Sequence, residues 1–252
     1  MLVSVVSVGK SLGTTSLALG LAASWAQRDS DPTLIELDPS GGDVAGWWGM
    51  SVDPGVRSLA AQLAISDDFL NATGEVMRHS QAGPNDLRVV PLPAALEGDG
   101  LNRLVSDVGG RWGLALQSLE GPVIADCGTW GPSHLASDRI GSASVVVALV
   151  SPDVSGVDRA RRIFQGMLRD LHPPRVLAVL AGERPYGVEE VAEQLRGVEV
   201  VASLPRDPSA ALSTARGDWS KRLSRRPWAR VVSSLVQEVE DGVTWTPDGV
   251  MS

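Results

Sequence analysis

The sequence contains a single cysteine, Cys127. A single thiol excludes an intrachain disulfide and suits a reducing compartment. Long apolar runs are also missing, since no stretch approaches the roughly 20 residues that cross a bilayer. The apolar run Leu2–Val8 follows no basic segment and is too short for a signal sequence. We therefore expect a cytoplasmic protein without a membrane span.

Basic residues are outnumbered by acidic ones, 22 to 30, and lysine is much rarer than arginine. Lys10 and Lys221 are the only lysines, beside twenty arginines. The net charge of −8 argues against a general nucleic-acid coat, because phosphate binding needs a positive surface. A basic cluster near the C-terminus is typical of a solvated or partner-facing surface, and nonspecific DNA is its less favoured ligand. Its members are Arg216, Lys221, Arg222, Arg225, Arg226 and Arg230.

Short runs of Val, Ile and Leu without polar alternation predict buried parallel strands. These runs are Leu2–Val8, Thr33–Leu37, Leu87–Pro91, Pro122–Ala125, Ser144–Val150, Arg175–Leu180 and Val198–Ala202. Helical patterns fall between them, at Thr14–Gln27, Val56–Ala64, Gly100–Leu119, Val157–Leu171, Val188–Leu195 and Trp228–Glu240. The alternation predicts an α/β fold with a doubly wound, mostly parallel sheet and helices on both faces. We expect one domain over residues 1–240 and a loose tail over residues 241–252.

A glycine-containing loop joins the first predicted strand to the first predicted helix. Its residues are Gly9, Lys10, Ser11, Leu12, Gly13, Thr14, Thr15 and Ser16. Such a loop points backbone N–H groups and the positive end of the helix dipole at an anion. It therefore predicts a phosphate site, in which the hydroxyl of Thr15 or Ser16 could hold Mg²⁺. An ordinary strand-to-helix turn is the alternative, because glycine, serine and threonine suit any helix start.

Carboxylates follow two further predicted strands. Asp126 comes after Pro122–Ala125, while Glu36 and Asp38 leave the second strand before a turn rich in proline and glycine. The carboxyl ends of parallel strands form the crevice where such sheets bind ligands. Asp126 is thus predicted to orient Mg²⁺, and the segment from Asp38 to act as a switch loop that senses a γ-phosphate. The structural alternatives are a helix cap or a solvated strand end at Asp126, and an Asx-type turn at Asp38.

Together these segments resemble the deviant-Walker P-loop ATPases of the ParA/MinD family. The run from Leu37 to Gly41 is similar to the family's Asp-x-Asp-Pro motif, with Glu36 at its first position. Asp126 matches the Walker B carboxylate, and Leu204-Pro205-Arg206-Asp207 looks like the Ile-Pro-x-Asp segment beside the adenine. The match keeps its order over residues 1–240. The subtypes that it resembles are actinobacterial MinD-like proteins and pilus-assembly proteins of the TadZ/CpaE type.

The departure from the family lies in the loop, which there reads Lys-Gly-Gly-x-Gly-Lys-Thr-Thr. Aligned on Gly13, the Walker lysine position is Thr14 and the signature-lysine position is Gly9. Lys10 lies one place off and reaches the signature position only with a one-residue deletion. Losing a charge-assisted contact of about 1.5–3 kcal/mol weakens nucleotide binding roughly ten- to hundredfold. Slow or absent hydrolysis is expected, so whether the chain is an active enzyme is left open.

The resemblance also implies ligands and residue roles. ATP or ADP would bind with Mg²⁺ at Gly9–Ser16, with Pro205 and Asp207 beside the adenine. Mg²⁺ would be held through Thr15, Asp126 and Asp38, and catalysis would rest on Asp38 and Lys10. Many relatives place an asparagine that reads the base where this chain has Ala181–Arg184. Either Pro205 and Asp207 carry more of the adenine contact, or the pocket is vacant.

Two functions compete on this evidence. One is a homodimeric, nucleotide-dependent switch that works with a partner protein of a partitioning or secretion/pilus system. The other is a non-catalytic pseudo-ATPase scaffold that recruits a partner. A metabolic ligase of the dethiobiotin-synthetase kind is disfavoured, because no further acid/base cluster occurs.

Trp47 and Trp48 suit a dimer interface or packing on the domain itself. Membrane binding is not expected, because the last predicted helix ends in the acidic run Gln237–Asp241.

Overall fold

A computed structural model describes residues 1–9, 12–65, 72–94, 108, 111–130, 142–170 and 175–242. The predictions for Lys10 and Ser11, for most of 95–110 and for the tail from 243 onward fall outside these residues. Within the described part of the chain, no helix combines the length and apolar character needed to cross a membrane.

One sheet contains all eight strands of the described chain. They are β1 (Leu2–Ser7), β2 (Thr33–Glu36), β3 (Gln81–Ala82), β4 (Arg88–Val90), β5 (Val123–Thr129), β6 (Val145–Val150), β7 (Val176–Ala181) and β8 (Glu199–Leu204). Their order across the sheet is β3-β4-β2-β5-β1-β6-β7-β8. Every neighbouring pair is parallel except β3 with β4. The predicted mostly parallel, doubly wound sheet is confirmed.

Helices cover both faces of this sheet. They are α1 (Thr14–Ala26), α2 (Val44–Trp48), α3 (Val56–Ile65), α4 (Ala72–Arg78), α5 (Arg111–Gln117), α6 (Val154–Asp170), α7 (Val188–Ala192), α8 (Pro208–Ala215), α9 (Lys221–Ser224) and α10 (Pro227–Asp241). A short 3₁₀ turn occupies Pro84–Asp86.

Two apolar clusters form the core, one on each face. In β1, Leu2 and Val6 belong to one cluster and Val3 and Val5 to the other, as the alternation of a strand requires. Helices α3, α5 and α6 complete the first cluster with side chains such as Phe164, while α1 and α10 complete the second. Because both faces are covered, the central strands are buried along their whole length, which explains their unbroken apolar sequence.

Several short elements are not predicted by the sequence pattern. The edge strand β3 is two residues long and antiparallel, and α2, α4, α8 and α9 were not predicted. Strand β5 also runs beyond Ala125 to Thr129, so Asp126 lies within it. The extension is possible because the pairing with β1 shifts after Val5, at a point where Gly128 takes a positive φ of 65°. The division into residues 1–240 and a tail stays a prediction.

Candidate functional site

The predicted site segments meet at the carboxyl edge of the sheet. Strand β5 lies between β2 and β1, and Asp126 pairs in register with Glu36 on one side and Val5 on the other. The chain leaves β1 through Gly9 and enters α1 at Thr14. The start of α1 and the acidic strand ends therefore face the same crevice, where doubly wound sheets bind ligands.

The first turn of α1 is not capped by a side chain of its own N-cap residue. Gly13 holds that position in the left-handed region, with φ 89° and ψ 37°, and it makes no side-chain cap bond. No acidic residue occupies the first turn either. Thr14 is 8% exposed, and Thr15 and Ser16 are half-buried. Within the described residues, no side chain accepts the backbone N–H groups of this turn, so they are available to an anion there.

Thr15 lies next to Asp126. The backbone N–H of Gly128 donates a hydrogen bond to Asp126 Oδ1 at 3.2 Å, and the Thr15 hydroxyl is near enough to the carboxyl to lower its pKa. Burial outweighs these two effects and raises the pKa of Asp126 from 3.8 to about 7. The nearby charges of Asp38 and Glu36 raise it further. A divalent cation at this position would favour the ionised form.

Asp38 lies beside the same carboxylate. Its carboxyl group sits so close to Gly128 that a methyl group on this glycine would collide with it. Its Oδ1 also accepts the Ser40 backbone N–H at 2.7 Å, so the Asx-type turn expected as an alternative is present as well. Thr15, Asp126 and Asp38 are thereby brought together, while their predicted roles stay predictions. The described residues contain no group of three or more His, Cys, Asp or Glu side chains that could hold a metal ion.

Glu36 has a function that the sequence did not indicate. Its Oε1 accepts the backbone N–H groups of Asp43 at 2.7 Å and Val44 at 2.9 Å, and its Oε2 accepts that of Leu92 at 3.0 Å. The side chain is 1% exposed, and burial is the main cause that raises its pKa. Glu36 therefore braces the loop that carries Asp38 against the end of β4. The two glycines before Asp43 were a signal, since only glycine permits such close backbone contact.

A cavity of about 240 Å³ lies beside the start of α1, and Gly13, Ser16, Pro205 and Asp207 are among its lining residues. A second cavity of about 480 Å³ shares Ala181 and Pro205 with it. The Asp207 carboxylate is already engaged, because its Oδ1 caps α8 through the Ala210 N–H at 2.9 Å. The Arg226 guanidinium also binds it, at 2.6 and 2.7 Å, and is the main cause that lowers its pKa. Pro205 and the neighbouring backbone remain open to a ligand.

The tryptophan pair and the basic cluster each divide in two. The Trp48 indole N–H donates to the Ala215 carbonyl at 2.7 Å, and its half-buried ring packs against the second core cluster. Trp47 is 42% exposed. Arg226 pairs with Asp207. The other five members of the basic cluster are exposed, and none forms an ion pair with a described residue.

The sheet order, the loop before α1 and the adjoining acidic strand ends define a P-loop NTPase fold of the ParA/MinD type. Solved structures with this fold align over nearly the whole chain. A ParA family ATPase from Chlorobium tepidum is 14% identical over 94% of this chain and 97% of its own, with a TM-score of 0.74. MinD from Pyrococcus horikoshii, in complex with Mg-ADP, is 18% identical over 95% of each chain, with a TM-score of 0.71.

A Cyanothece McdA variant in complex with ATP is 12% identical over 100% of this chain and 98% of its own, with a TM-score of 0.68. No family model matches the sequence, and no curated protein matches it. At these identities the likeness establishes the fold, and the function has to be argued from the residues.

Proposed function

We propose that the chain is a ParA/MinD-like switch that binds ATP or ADP with Mg²⁺, dimerises in response and hydrolyses ATP slowly. The observation that carries this proposal is the proximity of the Thr15 hydroxyl to the buried Asp126 carboxyl. It joins the open first turn of α1 to a buried acid in the neighbouring strand. An ordinary strand-to-helix turn needs no such partner, since buried carboxylates are costly.

The residues present suit a magnesium nucleotide. The open N–H groups of α1 would bind phosphate oxygens. Mg²⁺ is usually held by one or two carboxylates together with waters and substrate phosphates, so Thr15, Asp126 and Asp38 are sufficient protein ligands without a preformed cluster of acids. When bound, the ion would neutralise phosphate charge. The cavity that Gly13, Ser16 and Pro205 line would take the base.

Thr14 is the reason for proposing weak hydrolysis. Its neutral, largely buried side chain occupies the position that the Walker lysine has in the family. Transition states of phosphoryl transfer depend on fixed positive charge more than the bound ground state does. The absence of the lysine should therefore weaken nucleotide binding less than it slows ATP hydrolysis.

The structural relatives support the wider role. MinD is bound to Mg-ADP in one relative and MinC partners MinD in another, and a further relative from Borrelia burgdorferi is a plasmid partition protein. By this analogy we propose a homodimer that acts with a protein partner in partitioning or in a secretion or pilus system. Exposed Trp47 is a candidate contact for either partner. Nonspecific DNA is the less favoured ligand of the basic cluster, because the net charge is −8.

Titration calorimetry with ATP and ADP, with and without Mg²⁺, tests the proposal. We expect Mg²⁺-dependent binding that Thr15→Ala and Asp126→Asn weaken. Asp31→Asn is the matched control, since Asp31 is exposed and pairs with Arg88 at the opposite end of β2. Failure of the natural protein to bind either nucleotide at millimolar concentration would refute the switch.

The pseudo-ATPase scaffold is the second candidate, and Thr14 is also the residue that favours it. A scaffold needs the fold and its partner surface but no turnover. Thr14→Lys should then raise nucleotide affinity while partner recruitment proceeds equally well with either residue. ATP hydrolysis by the natural protein at the rate of ParA or MinD enzymes would rule this candidate out.

A further inference from the structure

Helix α6 passes beside the phosphate loop, and its Arg159 side chain reaches the start of that loop. A side-chain carbon placed on Gly9 would lie 3.5 Å from Arg159 Nη1 and 3.5 Å from Leu12 Cδ1. The guanidinium thus occupies the space above Gly9, at the point where the chain leaves β1.

The charge of Arg159 is not neutralised by the described protein. Two other arginines on α6 share one acid: Arg161 Nη2 is 2.8 Å from Asp158 Oδ1, and Arg162 Nη1 is 2.6 Å from Asp158 Oδ2. Arg159 forms neither an ion pair nor a side-chain hydrogen bond with any described residue. Its side chain is exposed to solvent. A guanidinium in this state keeps all its donors for a ligand.

The described residues of the loop carry no positive charge, because Thr14 is neutral and Lys10 lies outside the described residues. Across the crevice lie the carboxylates of Asp126 and Asp38, and the charge of Asp38 contributes to the raised pKa of Asp126. A polyphosphate entering this crevice therefore meets acidic groups on one side. A further cation on the loop side would add to the charge of Lys10 and to the helix dipole, whose effect is limited to the first turn.

We propose that Arg159 binds phosphate oxygens of the nucleotide at the Gly9 end of the loop and supplies the positive charge that Thr14 lacks. The inference rests on the proposed nucleotide function. The planar guanidinium presents paired donors that match two phosphate oxygens, and it stays charged at every physiological pH. Positive charge is then restored from a helix that follows the loop by about 140 residues, which no local motif would reveal.

Titration of Mg-ADP and Mg-ATP into the natural protein, Arg159→Gln, Arg159→Lys and Arg162→Gln tests this assignment. Arg159→Gln should weaken binding roughly tenfold or more, as expected for one charge-assisted contact. Arg159→Lys should recover part of the lost affinity, since lysine keeps the positive charge but not the paired donors of the guanidinium. Arg162→Gln is matched in helix, residue type and exposure, and it should stay within about twofold of the natural protein.

A double-mutant cycle separates direct binding from a structural effect. In Thr14→Lys, the new lysine supplies positive charge to the loop. Adding Arg159→Gln to this variant should therefore weaken nucleotide binding by a smaller factor than it does in the natural protein. Melting curves of all variants should coincide. Absence of nucleotide binding in the natural protein would overturn the proposed function itself. Binding that Arg159→Gln leaves unchanged, or weakens only as much as Arg162→Gln does, would overturn the role of Arg159 alone.

Discussion

Glu36 connects β2 to two loops, and replacing it tests how this strand builds the site. In Glu36→Ala, the backbone N–H groups of Asp43, Val44 and Leu92 lose their acceptor. Each buried, unsatisfied N–H costs about 1–3 kcal/mol. The burial that raises the pKa of Glu36 shows that its carboxylate is itself held at a cost, which offsets part of the loss. We expect the free energy of unfolding to fall by about 2–5 kcal/mol.

Urea unfolding measures this change, provided that the slope against urea concentration is the same for both proteins. Glu36→Gln should lose less, about 1–2 kcal/mol, because its amide oxygen can still accept while its amide nitrogen cannot. Glu190→Ala is the control: Glu190 is exposed and accepts one backbone N–H, that of Gly187 at 2.9 Å. Equal losses in Glu36→Ala and Glu190→Ala would refute the bracing role.

A second measurement connects the brace to the site. The braced segment begins at Asp38, whose carboxyl contacts Gly128. Under conditions where Glu36→Gln remains folded, its affinity for Mg-nucleotide should fall by more than that of Glu190→Ala. An unchanged affinity would mean that Asp38 is positioned without help from Glu36.

Three further predictions concern stability. The pKa of Asp126 is about 7 in the folded protein against 3.8 in the unfolded chain, so the natural protein loses stability as the pH rises from about 4 to about 7. Asparagine does not titrate, so Asp126→Asn should become increasingly stable relative to the natural protein over this range. Asp207→Ala should cost about 1–2 kcal/mol in urea unfolding, since it removes the N-cap of α8. Gly20→Ala should lower the free energy of unfolding by about 1–3 kcal/mol, because its methyl group would lie 2.5 Å from the buried Trp228 ring. Gly166→Ala meets open space in a helix and should raise the free energy of unfolding by up to about 1 kcal/mol.

Each of these predictions has a result that would contradict it. For Asp126, melting temperatures that run parallel across pH would mean that the pKa of the carboxyl in the folded protein is close to its value in the unfolded chain. For Asp207, a loss no larger than in Asp218→Ala, where an exposed acid caps only the Ser220 N–H at 3.2 Å, would show that the cap is not stabilising. For Gly20, a gain in stability like that of Gly166→Ala would show that α1 and α10 can separate freely.

Much of the fold was predictable because it depends on local patterns. The central strands are buried on both faces, so their apolar runs identify them without alternation, and the position of Asp126 and Asp38 after such runs places them at the sheet edge. Thr15 could be named as a candidate because a loop that starts a helix has its own sequence pattern. Even so, the exact end of β5 was not predictable, since it depends on a shift in its pairing with β1.

The remaining features depend on contacts between distant parts of the chain. Glu36 resembles a motif acid in sequence, and only the approach of Leu92, 56 positions away, reveals it as a brace. The Asp207 carboxylate is engaged by Arg226, 19 positions later, which a motif beside the adenine does not indicate. Arg159 is one of three arginines within four positions, and no pattern tells which of them reaches Gly9.

The two sides of the site therefore differ in how they are built. On the acidic side, Asp126 is held by strand pairing and Asp38 lies in the loop that Glu36 braces, so this half is preorganised. On the loop side, Thr14 is neutral and, among the described residues, positive charge would come from Arg159, whose side chain is exposed. A mobile charge can bind a ground-state phosphate but stabilises a transition state poorly, because it must be ordered at the moment of reaction. If this asymmetry governs the chemistry, restoring a lysine at Thr14 should raise turnover by a larger factor than it raises nucleotide affinity, and equal factors would contradict it.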